Sequence, residues 1–207
     1  MPAERTDTDL QPVILLLAAG RSSRMRGEDK LLRPISGIPQ LRRIALAAVA
    51  TGCPVIAALP VTGSDRRAAL AGLDVTQLGV PDRDEGIAAS LRAGAALAAG
   101  RALMVVQADM PELTAADMTR ICHQHCRIPK ALLRAESDGL PGNPVLFPAD
   151  LVPALLSLTG DVGAREVVAT YRHRVVLVPL PPRHATLDLD TPEEWAAWEA
   201  QYRAEGL

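Results

Sequence analysis

The chain reads as an α/β protein: a three-layer, doubly wound, mostly parallel sheet of Rossmann-like form. Three observations predict this. Apolar runs of strand length recur along the chain and stop at Gly, Pro or Asp, as strands buried on both faces do. Segments of helical period separate them, and strands alternating with helices imply parallel neighbours with helices on both sides of the sheet. Hydrophobic residues make up 48% of the 207 positions and aromatics only 2%. The core must therefore come from Leu, Val, Ile and Ala, a composition suited to helices packed on a buried sheet.

Val13 to Ala18 is the first buried strand, ending at Gly20. After a charged loop, the apolar positions of Gln40 to Thr51 recur at helical spacing. Val55 to Leu59 is a second strand, Asp65 to Ala71 a short helix, and Val75 to Leu78 a short strand. Asp84 to Ala99 is Ala/Leu-rich and helical, broken at Gly100. Ala102 to Gln107 is a third strong strand, and it runs into Asp109-Met-Pro111. Thr114 starts a helix to about Cys126, with Asp117 at the third helical position in a capping-box pattern. Ala131 to Arg134, Pro144 to Phe147 and Val175 to Val178 read as strands, as does the shorter Leu187 to Leu189. Asp150 to Leu156 and Val162 to Thr170 read as helices, and Thr191-Pro-Glu-Glu opens a last one with Pro in its first turn. Residues 1–12 form a polar leader, and 13–207 are expected to form one domain.

With 22 basic and 24 acidic side chains the formal charge is −2, which argues against partners held by overall field, such as nucleic acid or a membrane surface. No apolar run approaches a membrane span and the leader lacks an apolar signal core, so a cytoplasmic location is expected. Cys53, Cys122 and Cys126 are too few and too unevenly spaced for a disulfide framework.

The loop that leaves the first strand is the most informative stretch of the chain. Leu17-Ala18-Ala19-Gly20 turns on small residues that let backbone N–H groups approach an anion. Arg21, Arg24, Arg26 and Lys30 come next. Four cations beside a glycine turn at a strand end fit a polyphosphate, the alternative being a solvated basic loop. The loop is neither a Walker A nor a dinucleotide fingerprint, since both Gly-Lys-Ser/Thr and the G-x-G-x-x-G glycines are missing. Asp109 follows a buried strand and is placed to hold Mg²⁺ on a phosphate, or else to cap the turn before Met110-Pro111. Asp188 and Asp190 point to one face if extended; one would complete a metal site and the other would ligate or cap the last helix.

LAAGRSSRMRGEDKLL resembles the signature loop of the nucleotidyltransferases that share an L-A-A-G-x-S-x-R-M-G-x-x-K pattern. Four later segments are also similar: DEGIAASLRAG (Asp84 to Gly94), QADMP (Gln107 to Pro111), GNPVLFP with TGDVGAR (Gly142 to Pro148, Thr159 to Arg165), and DLDTPEEW (Asp188 to Trp195). Together they resemble the molybdenum cofactor cytidylyltransferase branch. The resemblance implies a Rossmann-like nucleotidyltransferase fold and transfer of CMP from CTP to a phosphate of a molybdopterin-type acceptor, with Mg²⁺ (or Mn²⁺) as cofactor and pyrophosphate as product. It implies that Leu17, Ala18, Ala19, Gly20, Gly86, Ser90 and Ala108 line the nucleotide. Arg24 and Lys30 would neutralise the triphosphate. Asp109 would be the principal metal ligand, joined by Asp188 or Asp190, and Asn143, Asp161 and Arg165 would lie on the acceptor side. It also implies transient contact with a molybdenum oxidoreductase or its chaperone. The Ala18-Ala19 pair resembles the cytidylyl branch, whereas the guanylyl branch usually carries Gly at the second position.

Two departures stand out. Arg26 lengthens the usual R-M-G by one residue, and Asn143 stands where the pattern reads G-H-P. Asn hydrogen-bonds as His would but does not titrate near neutrality, so no acid–base role is expected there. The rival functions are guanylyl or other nucleotidyl transfer to a different phosphorylated acceptor, and a non-catalytic nucleotide binder that delivers cofactor. Cys122-His123-Gln124-His125-Cys126 invites a zinc reading, but a closed tetrahedral site needs a second ligand pair, so semi-buried cysteines with exposed histidines are expected. Cys53 is expected in the core, His173 and His184 in structural or exposed positions, and Trp195 and Trp198 as anchors of the last helix to the sheet.

Overall fold

The computed structural model describes residues 11–63, 65–81, 85–160 and 163–204. In chain order the strands are Val13–Leu17 (β1), Pro34–Ile35 (β2), Ile38–Pro39 (β3), Val55–Pro60 (β4), Thr76–Val80 (β5), Leu103–Gln107 (β6), Leu132–Ser137 (β7), Leu140–Phe147 (β8) and Val175–Pro179 (β9). The helices are Gln40–Val49 (α1), Asp65–Ala69 (α2), Ile87–Leu97 (α3), Ala115–Arg127 (α4), Arg165–Thr170 (α5) and Pro192–Ala204 (α6). Seven strands form one sheet in the order β5-β4-β1-β6-β8-β7-β9, all parallel to their neighbours except β8, which is antiparallel to β6 and β7. β2 and β3 make a separate small ladder.

The period-2 alternation of β1 explains the three layers. Ile14 and Leu16 face Leu41 and Ile44 of α1 and Met118 and Ile121 of α4. Val13 and Leu15 face Ala88, Leu91 and Ala95 of α3, with Leu155 behind them. Small residues set the layer spacing. A Cβ on Gly94 would lie 2.3 Å from a δ-carbon of Leu15, itself fully buried. Gly94→Ala is therefore expected to cost about 2 kcal/mol through overpacking, read as a lower midpoint in urea.

After β1 the chain winds outward to β4 and β5, then returns to add β6 on the other side of β1. Winding thus reverses between β1 and β6, and in such sheets ligands bind beyond the carboxyl ends at the reversal. Leu17 and Gln107 are register partners, so the loops that leave them emerge side by side.

Several expectations change in detail. Residues 187–189 form no strand; Leu189 N donates to Asp109 O (3.3 Å), and three residues with one such bond build no ladder. Val152–Ser157 is a 3₁₀ turn instead of an α-helix, with Pro at its start. β7 and β8 run longer than expected because Asp138-Gly139, both with positive φ (55° and 76°), closes them into a hairpin. Trp195 and Trp198 do not anchor α6 to the sheet. They pack edge to face (6.0 Å) in a third cluster with Met25, Ile35 and Leu189, so α6 is anchored to the loop after β1 and to the small ladder. Among the described residues no helix is long and apolar enough to cross a membrane. Residues 1–10 of the expected leader, and Asp161, lie outside the described residues.

Candidate active site

The loop after β1 is built before it is charged. Ala18 and Ala19 are buried, and Ala18 N donates to Ala58 O (3.0 Å), carrying the β1–β4 ladder past the strand. The backbone then turns through Ser22 (φ 51°), Arg26 (φ 54°) and Gly27 (φ 100°). Met25, only 1% exposed, is the apolar pin between these turns. Beneath it lies an ion pair that the sequence did not single out. The buried Arg66 of α2 grips Asp29 through Nε (2.6 Å) and Nη2 (2.8 Å), donates from Nη1 to Ala18 O (2.6 Å), and reaches Ser22 Oγ (3.3 Å). One guanidinium therefore ties both ends of the loop to α2. Arg66→Ala would leave Asp29 unpaired and the loop untied. We expect a stability loss of about 3 kcal/mol in urea unfolding, and a raised KM for nucleotide.

At the loop's end Lys30 enters a carboxylate cluster. Its Nζ contacts Asp109 Oδ2 and bonds Asp190 Oδ1 (2.6 Å), while Arg24 Nη2 meets Asp190 Oδ2 (2.7 Å). Burial works to lower the Lys30 pKa, but the charges and hydrogen bonds of Asp109 and Asp190 outweigh it and hold the pKa above the ordinary lysine value. Lys30 is thus a permanent cation. One oxygen each from Asp109, Asp188 and Asp190 lie within 4.8 Å of one another, the one group of three metal-ligand side chains found among the described residues. Asp188 reaches solvent, yet partial enclosure first, and then the charges of Asp109 and Asp190, push its carboxyl above the usual range. Asp109 Oδ1 is buried and has no hydrogen-bond partner among the described residues. Three converging carboxylates, one with an orphaned buried oxygen, fit a hard divalent cation that takes oxygen ligands.

Residues 14–175 match the model of the MobA-like NTP transferase domain. The chain belongs to this family of nucleotidyltransferases. It is 28% identical to Rv0371c from Mycobacterium tuberculosis H37Rv, with a TM-score of 0.78 over 92% of this chain and 98% of that one. The structure of Rv0371c in complex with manganese gives 26% identity and a TM-score of 0.73 over 92% and 98% of the two chains. CMP:2-keto-3-deoxy-manno-octonic acid synthetase complexed with CTP shares the fold, with a TM-score of 0.72 over 94% and 99% at 13% identity. The bifunctional protein GlmU of Leifsonia xyli is 30% identical over 124 residues, 57% of this chain, which thereby spans only about a quarter (26%) of that protein.

The remaining residues expected at the site divide into two groups. Ala108, at the mouth of β6, is buried, and its carbonyl accepts from Nε2 of the buried Gln40 (3.0 Å). Gln40, also missed in the sequence, fixes the turn that presents Asp109. Gly86 precedes α3 with φ 82°, and Ser90 is buried one turn on. Asn143 and Arg165 do not join the acid cluster; they line a cavity that Leu17 and Gln107 also line. Asp190 does not cap α6. Thr191 Oγ1 accepts from Glu194 N (3.2 Å) and Glu194 Oε2 from Thr191 N (3.0 Å), a capping box one residue later that leaves Asp190 for Arg24 and Lys30. Arg26, the inserted residue, turns outward to Glu193 (2.6 Å). The zinc motif is dispersed: Cys122 Sγ faces Cys53 Sγ (3.7 Å) in the core and Cys126 is exposed. His125, expected exposed, is buried because Asp117, Met118, Ile121 and Cys122 on the same helix put that face inward. His184 pairs with Asp117 (2.7 Å) and is structural.

Proposed function

We propose that the protein transfers CMP from CTP to a phosphate of a molybdopterin-type acceptor and releases pyrophosphate. The observation that carries this reading is Lys30: one cation from the signature loop meets both Asp109 and Asp190, which supports a single site made of the expected triphosphate loop and the expected metal carboxylates. Asp109, Asp188 and Asp190 would hold Mg²⁺ or Mn²⁺, which when bound neutralises charge on the triphosphate. Lys30 and Arg24 are then released from carboxylates to phosphate oxygens. Ala18, Ala19 and Gly20 let the backbone approach the nucleotide, with Leu17, Gly86, Ser90 and Ala108 around it.

An acceptor phosphate is already anionic at neutral pH and needs no general base. The barrier is repulsion between two anions, and the chain lowers it by positioning and charge neutralisation. Asn143 serves this scheme as a hydrogen-bonding group, and Asp161 and Arg165 belong to the acceptor side. The Ala18-Ala19 pair supports CTP over GTP, and the motifs from Gly142 to Arg165 support the acceptor class. The test is pyrophosphate release from each nucleoside triphosphate with Mg²⁺, with and without molybdopterin. Release that needs molybdopterin and is fastest with CTP is expected; faster release with GTP or UTP would overturn the cytidylyl assignment, and release with another phosphorylated acceptor alone the molybdopterin one.

A further inference from the structure

At the amino edge of the sheet lie two thiols that nucleotidyl transfer does not use. Cys53 stands just before β4, and Cys122 lies in the second half of α4. Both belong to the core cluster that also holds Val55, Ala102 and Ile121. Their sulfurs are 3.7 Å apart, although the residues are 69 positions apart in the chain. A disulfide is about 2 Å long, so the sulfurs need to close by roughly 1.7 Å to bond. The topology brings them together. β4 is parallel to β1 and β6, whose carboxyl ends carry the signature loop and Asp109, and α4 runs back from that end to reach β7. Leu17 pairs with Ala58, whereas Cys53 precedes Val55, so roughly 10 Å of strand stands between the thiols and the nucleotide loop.

The two thiols are chemically unequal. The Cys122 thiol beside it holds Cys53 below the ordinary thiol range, at about 6, against the pull of burial, and the charge of Arg101 adds to the effect. The same contact, and then burial, pushes Cys122 up. Cys53 is thus the thiolate and Cys122 the thiol that donates to it, and the thiolate is the form that peroxides oxidise. Cys126, the third cysteine, is exposed one turn further along α4. The geometry points to a reversible oxidation site, in which hydrogen peroxide joins Cys53 and Cys122 in a disulfide that ties α4 to the start of β4. Cys53 Sγ attacks one peroxide oxygen, the O–O bond breaks, and hydroxide leaves a sulfenic acid behind. That hydroxide takes the Cys122 proton and becomes water. Cys122 Sγ then attacks the Cys53 sulfur, the S–S bond forms, the S–O bond breaks, and a second hydroxide leaves. One thiolate, one thiol and one peroxide give one disulfide, one water and one hydroxide. The sulfurs lose the electron pair that peroxide gains.

The test exposes the full chain to millimolar hydrogen peroxide, without nucleotide, and maps its peptides by mass spectrometry. A Cys53–Cys122 linkage is expected, with Cys126 still free to react with iodoacetamide, and dithiothreitol should restore all three thiols. The same linkage is expected in Cys126→Ser. The oxidised protein should melt at a higher temperature than the reduced one, because the bond restricts the unfolded chain, and peroxide should give Cys122→Ser no such rise. Linkage of Cys126 to either thiol, sulfinic acid at Cys53 in place of a linkage, or three intact thiols while free cysteine in the same solution is oxidised would each overturn the proposal. An oxidised form that melts no higher than the reduced one would overturn the tie between α4 and β4. The linkage is read in the parent protein, so the result stands even where a serine variant fails to fold. It is also independent of pyrophosphate release, so failure of the proposed nucleotidyl transfer would leave it untouched.

Discussion

Asp109→Ala is expected to reduce nucleotidyl transfer by about 10³-fold, the scale of losing several kcal/mol of transition-state charge stabilisation. Asp109 differs from its two partners in position: it follows the buried β6 directly, its Oδ2 meets Lys30 and its Oδ1 is buried without a partner among the described residues. The backbone around it is fixed by Gln40 on Ala108 O and by the bond from Leu189 N to Asp109 O. These contacts use the main chain, so the variant should fold. Single-turnover rates at saturating nucleotide, with circular dichroism and melting temperature unchanged, are the measurement. Near-normal turnover would remove Asp109 from the site. Asp109→Asn should behave almost as badly, because the amide keeps the shape and loses the charge.

Lys30→Ala is expected to lower turnover by about 10²-fold or more, in the range seen when one group that stabilises developing charge is removed. It should also have an effect of opposite sign. Lys30 is bonded to two of the three carboxylates that would hold the metal, so in the nucleotide-free protein it competes with a divalent cation. Without it the cluster keeps the contact of Arg24 with Asp190. The variant should therefore bind Mn²⁺ more tightly than the parent protein when no nucleotide is present, while turning over more slowly. Calorimetric titration with Mn²⁺ alone reads the first effect and pyrophosphate release the second. Weaker Mn²⁺ binding in the variant would mean that Lys30 supports the cation site instead of competing for it.

Much of this site is legible in the sequence because it lies on strong local signals. A strand apolar at every position must be buried on both faces, and a glycine turn with cations after it must sit at the sheet's carboxyl edge. Thr114 with Asp117 is a capping box in sequence and in structure. The illegible part depends on contacts between distant residues. Arg66 sits 37 positions from Asp29, and nothing local distinguishes it from the neighbouring Arg67. The usable hint is Asp29 itself, a carboxylate inside a cationic loop next to a helix that follows the adjoining strand. The Asp138-Gly139 hairpin does have a local signal, a turn dipeptide that is enough to lengthen β7 and β8. The buried side of α4 is masked by its chemistry: Cys122 and His125 invite a ligand reading, whereas their spacing from Met118 and Ile121 marks the core-facing stripe.

The central claim is that the loop from Leu17 to Lys30 and the cluster Asp109, Asp188 and Asp190 are one site. Thermal melting with CTP, with Mg²⁺ and with both together tests it most directly, since a ligand stabilises in proportion to its own binding and two ligands of one site show coupling. The stabilisation by both together should exceed the sum of the two separate shifts, and the excess should vanish in Asp109→Ala. Simple additivity in the parent protein, or an excess that survives in Asp109→Ala, would contradict the account.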